Sequence, residues 1–177
     1  CQQKKKKKRT MMQQQQQQRC EPCEKVDPCV EEVDNVDERN VAEDGTQTWL
    51  RNGKLHRDGD EPAVVKANGT REWYQHGKKH REGDLPAVER ADGTRLWYKK
   101  GRQHRDGDEP ALVCADGTLG WFKFGRRHRK DLPAMVWADG KNGAADGTQE
   151  WFQRGLRHRK DDLPAVIWAN GSLCWFH

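Results

Sequence analysis

From residue 44 onward, apolar side chains come in clusters of two or three, separated by turn residues and charge. Trp stands at 49, 73, 97, 121, 151 and 175, with gaps of 24, 24, 24, 30 and 24 residues. His follows the same comb at 56, 80, 104, 128 and 158, and Pro at 62, 86, 110, 133 and 164. A fixed period in this range marks a repeat array in which each unit packs only on its neighbours. The units run 44–67, 68–91, 92–115, 116–145 and 146–169, with a truncated sixth at 170–177. Unit four loses one residue before Pro133 and gains seven around Asp139 to Ala145.

Each unit carries hairpin chemistry. Asn68-Gly69, Asp92-Gly93, Asp116-Gly117, Asp146-Gly147 and Asn170-Gly171 stand between strand-like runs. Such a dipeptide predicts a two-residue type I′ turn. That loop would set Val88 opposite Trp97, Glu89 opposite Leu96, and Ala87 facing Tyr98. The same register pairs Val64 with Trp73, Leu112 with Trp121 and Val166 with Trp175. Alternation then puts the Trp side chains on one face and Tyr98 with Ala87 on the other. A second turn is expected at Gly53, Gly77, Gly101, Gly125 and Gly155, four residues after each Trp, where Gly supplies positive φ or close approach. The predicted fold is all-β: tandem hairpins joined into one elongated, twisted antiparallel sheet.

The run Trp49-Leu50-Arg51-Asn52-Gly53-Lys54-Leu55-His56 resembles the MORN repeat, the membrane occupation and recognition nexus module. The resemblance covers residues 44–177. Arg follows His where MORN repeats usually carry Gly, and Pro-Ala-Val is atypical, so the unit is a MORN-like variant, similar to repeats in bacteria and large DNA viruses. The resemblance implies a single-layer sheet of hairpins, roles in protein binding and scaffolding, and a link to phospholipid.

Composition agrees with a thin architecture. Only 33% of residues are hydrophobic and 34% are charged, too few apolar groups for a thick interior. Eight Trp argue against disorder throughout. The net charge of +5 is unevenly spread: residues 1–19 hold seven positive charges and no acid, residues 20–44 sum to -8, and residues 45–177 to +6. Residues 1–43 are read as a basic, Gln-rich arm and an acidic, Cys-containing linker, mostly disordered. The chain begins with Cys1, which suggests a fragment or initiation at Met11 or Met12. No apolar run has the length of a membrane span.

Candidate chemistry is sparse. Cys20, Cys23 and Cys29 give a Cys-x-x-Cys and a third thiol, a zinc candidate that lacks its second knuckle, so free cytosolic thiols are the favoured reading. Their use suits the cytoplasm, of a host cell or within a virion if the chain is viral. His56, His80, His104, His128 and His158 each precede Arg and acids. An active site needs one asymmetric constellation, whereas a residue placed in every unit serves packing, here as a His ladder with Arg–Asp pairs. No phosphate loop, serine elbow or metalloprotease motif occurs, and no Ser precedes Ser172. Neither a catalytic residue nor a cofactor is expected.

The expected function is a non-enzymatic scaffold for a protein partner. Trp49, Trp73, Trp97, Trp121, Trp151 and Trp175 would form the thin core, and Tyr74, Tyr98, Phe122 and Phe152 the docking face. The alternative is a nucleic-acid or anionic-lipid binder using Lys4 to Arg9 and the unit-four cluster Lys123, Arg126, Arg127, Arg129 and Lys130. A His-based metal enzyme ranks third. The chain stops at Trp175-Phe176-His177, within an expected strand whose edge could pair with another copy.

Overall fold

The computed structural model describes residues 36–138 and 147–176. They belong to one compact unit, Asn35–His177. Among the described residues there is no helix, and the strands form a 13-stranded antiparallel sheet with four two-stranded ribbons beside it. The arm 1–35, with Cys20, Cys23 and Cys29, and the insertion 139–146 lie outside the described residues.

In the unit 92–115, the strand Arg95–Leu96 pairs with Val88–Glu89 before it and with Leu112–Val113 after it. The other units repeat this, so the main sheet runs through the array two strands per unit. Trp97 then breaks the strand, and Tyr98–Lys99 pairs with Arg102–Gln103 as a separate ribbon. Successive ribbons are tied by single backbone bonds. Gly77 N–H donates to Leu55, Gly101 to Lys79 and Gly125 to Gln103, each at 2.8 Å.

The type I′ turn is not where it was expected. At Asp92-Gly93 the register is Val88↔Leu96 and Glu89↔Arg95, one residue off the predicted pairing. The loop has three residues, Ala91-Asp92-Gly93. Arg90 C=O accepts from Gly93 N–H at 3.0 Å, and Arg90 N–H donates to Thr94 at 2.9 Å. Only Gly93 has positive φ (89°), as in a type I turn closed by a glycine bulge. Asp92 favours this form, because its Oδ1 accepts the Thr94 N–H at 2.8 Å. The type I′ turn sits at the second corner instead. There both central residues have positive φ: Asn52 and Gly53, His76 and Gly77, Lys100 and Gly101, Phe124 and Gly125, Arg154 and Gly155.

The slip takes Trp73, Trp97, Trp121 and Trp175 off the partners predicted for them. Val88 faces Leu96, and Trp97 N–H donates to Ala111 C=O at 2.9 Å. Trp49 meets Ala63, Trp73 meets Ala87, Trp121 meets Ala134 and Trp151 meets Ala165 in the same way. All five Ala side chains are fully buried. A small residue opposite each large ring lets two strands close over it. Trp73, Trp97, Trp121 and Trp151 are buried, Trp49 is half-buried, and Trp175 is 48% exposed.

Two more expectations need correction. The segment assigned to the linker supplies the strand Asp37–Val41, paired along its length with Gln47–Arg51. Its sequence lacks apolar alternation, and it is held partly by charge, with Arg51 gripping Asp37 at 2.7 and 2.9 Å. The last strand, Leu173–Cys174, ends before Trp175.

Candidate functional site

The residues that recur are taken up in holding units together. Each Arg after a comb His lies over the Trp of its own unit: Arg57 at 4.0 Å, Arg81 at 3.8 Å, Arg105 at 4.2 Å, Arg129 at 3.9 Å and Arg159 at 3.8 Å. Its guanidinium also donates to the carbonyl of the next Pro, as Arg81 does to Pro86 at 3.3 Å. In three units it forks onto an Asp of the preceding unit: Arg81 on Asp60, Arg105 on Asp84, Arg129 on Asp108. Those hydrogen bonds hold the three Asp carboxyls below their ordinary range. The backbone carbonyl of the same Asp accepts the Trp indole N–H of the following unit, at 3.0 Å for Trp73 and 2.9 Å for Trp97. One Asp thus binds both members of the Arg–Trp stack.

The comb His side chains are tied locally. The backbone N–H of each donates to its own Trp, as His80 does to Trp73 at 3.1 Å. Nε2 of His56, His80 and His104 contacts Asp58, Glu82 and Asp106 at 3.0, 2.9 and 3.0 Å. His56 Nδ1 accepts the His76 N–H at 3.2 Å. The comb His do not stack on one another as a ladder. His56 stacks instead on His76 and His104 on Phe124, at 4.6 and 4.4 Å, each the first residue of the next type I′ turn. Among the described residues no three His, Cys, Asp or Glu gather as metal ligands, and no helix is long and apolar enough to cross a membrane.

The aromatic positions expected to dock a partner are largely covered. Phe152 is buried and joins a core cluster with Trp121, Ala134 and Met135. Phe122 is half-buried against that cluster, in space that Gly120 leaves open: a Cβ there would lie 2.9 Å from the Phe122 ring. Tyr74 and Tyr98 are half-buried with the Lys79 ammonium 5.8 and 5.5 Å from their ring centres. Tyr74 also donates to buried Glu72 at 2.9 Å.

The basic cluster of unit four divides by role. Arg129 belongs to the Trp121 stack. Arg127 lies 5.2 Å from the Phe152 ring. Lys123 and Arg126 pair across a ribbon and are exposed, as is Lys130. The ribbon position of Arg126 recurs. Lys54, Lys78, Arg102 and Arg126 each follow a turn glycine, and all are exposed. A Cβ on Gly77 would sit 3.7 Å from Lys54 Cβ, on Gly101 3.6 Å from Lys78, and on Gly125 4.0 Å from Arg102. Each cation therefore starts beside the turn of the next ribbon, and the four form one row.

Some cations are paired with carboxylates, and the ribbon row is not. Arg51 is held by Asp37 and Asp58, and Lys99 by Asp106. Among the described residues no carboxylate pairs with Lys54, Lys78, Lys100, Arg102, Lys123, Arg126 or Arg154. Four cationic side chains, Arg102, Lys123, Arg126 and Arg154, line a concavity of about 450 Å³ together with His128 and Phe124. Sequence reading missed Phe124, Arg102 and Arg154. The available signal was a Phe directly before a turn glycine, where the other units carry Asn, His, Lys or Arg.

Compared with known proteins, the chain matches no family model and no curated protein.

Proposed function

We propose that this chain is a non-enzymatic binding scaffold that presents the cationic ribbon face to an anionic partner. The observation that supports this reading is the unpaired row Lys54, Lys78, Arg102 and Arg126 on a protein whose repeated Arg side chains are otherwise tied to Asp, Pro and Trp. Keeping like charges adjacent costs stability unless a partner neutralises them. The resemblance to the MORN repeat is consistent with a scaffold. The staple residues hold the units in register, and the variable ribbon positions carry recognition.

The test is binding of the full chain to immobilised polyphosphate with salt titration. The double variant R102E/R126E is compared with R90E/R95E, which reverses two exposed charges on the main-sheet side. The first should bind markedly more weakly, and the second should bind like the wild type. Equal losses from both would remove the ribbon face from the proposal.

A further inference from the structure

We infer that the concavity at Arg102, Lys123, Phe124, Arg126, His128 and Arg154 is a subsite for single-stranded nucleic acid, with one base stacked on Phe124 and phosphates on the surrounding cations. This rests on the scaffold reading above and names its ligand.

Phe124 carries the inference. It occupies the first turn position at φ 50°, a conformation that costs a bulky side chain of order 1 kcal/mol. Asn52 holds the equivalent place in the first unit at the same φ, so the turn itself does not need an aromatic. The ring is 53% exposed although apolar. One face rests on the His104 imidazole, with centroids 4.4 Å apart and planes 19° from parallel. A ring fixed flat, backed by a second ring and bordered by cations, has the parts of a base-stacking platform in a basic groove.

Other polyanions fit less well. A duplex keeps its bases stacked and offers no free face to Phe124. A lipid headgroup would use the cations alone, whereas a single nucleotide fits a space of about 450 Å³ and also uses the ring. An acidic peptide would use the cations and leave the ring without a role. The row through Lys78 and Lys54 continues the phosphate track toward the first unit, one ribbon at a time.

The experiment is fluorescence anisotropy with the full chain and a labelled single-stranded oligothymidylate, with duplex DNA and phosphatidylserine vesicles as competitors. F124N removes the ring and keeps a residue suited to the turn, so folding is preserved; circular dichroism checks this. F124N should bind the oligonucleotide about tenfold more weakly, with the salt slope unchanged. R102A/R126A should lower the slope of log affinity against log salt by about 1.4, two phosphate contacts' worth. Wild-type affinity in F124N, or tighter binding of duplex or vesicles, would overturn the inference. If R102E/R126E still loses polyphosphate in that case, the scaffold reading survives alone. If polyphosphate binding ignores the ribbon face, both fall.

Discussion

Arg81 lies 3.8 Å above the ring of Trp73, and from there its fork reaches Asp60 of the preceding unit. The guanidinium is at once a lid on the indole, a chelator of the neighbouring loop and a donor to the Pro86 carbonyl. Lys carries the same charge but has neither the planar fork nor the stacking face.

Arg81→Lys should therefore lower stability by about 1–2 kcal/mol, a fall of several degrees in melting temperature. Arg159→Lys should cost less. Arg159 stacks on Trp151 and reaches Pro164, yet among the described residues it has no Asp. Equal losses at the two sites would show that the Asp fork adds nothing.

The Trp–Ala pairing predicts a steric limit. Ala111 is fully buried, opposite Trp97, and its N–H donates onward to Gly120 at 2.9 Å. Ala111→Val should cost about 1–3 kcal/mol in denaturant melts. A cost near zero would show that Ala111 does not limit the packing of Trp97.

Acid should weaken the second unit. Glu72 is buried, which by itself would raise its pKa, but hydrogen bonds from Lys66, Lys79 and Tyr74 outweigh this and bring it from 4.5 to about 2. A carboxyl whose pKa falls on folding stabilises the fold above its unfolded value. That contribution fades as pH drops from about 4.5 toward 2. Melting temperature should decline across this window, and Glu72→Gln, less stable at pH 7, should show a shallower decline. Parallel curves for the two proteins would count against the assignment.

The junction of units four and five should be the weakest. The loop from His128 to Pro133 is one residue shorter than its counterparts. In register with it, the indole N–H of Trp151 is buried without an acceptor, where Trp73, Trp97, Trp121 and Trp175 all reach an Asp carbonyl. Inserting one Gly between Lys130 and Asp131 should supply that carbonyl and stabilise the fold by about 1–3 kcal/mol. Slower hydrogen exchange at the Trp151 indole would report it directly, and unchanged exchange would refute the explanation.

How far the sequence could be read follows from where each signal resides. The Trp, His and Pro combs gave the array, the strands and the antiparallel sheet, because a unit repeated at fixed length must bury the same side chains in the same way. The turn type was misassigned at Asp92-Gly93. Asp-Gly suits two loops of different length, and the choice rested on the Asp92–Thr94 hydrogen bond. One residue of slip then moved Trp97 from Val88 to the next position along that strand, Ala87, while its other edge meets Ala111. The edge strand Asp37–Val41 was read as linker because ion pairing to Arg51, not apolar alternation, holds it.

The candidate site was only partly legible. Lys123 and Arg126 were singled out as basic, but so were Arg127 and Arg129, which the fold assigns to packing on Phe152 and Trp121. The sequence determined that identical units lie side by side, since periodicity is a property of the chain alone. Only the tertiary structure decided which charges remain unpaired, because pairing depends on Asp side chains 21 residues away and on ribbons that meet across three dimensions.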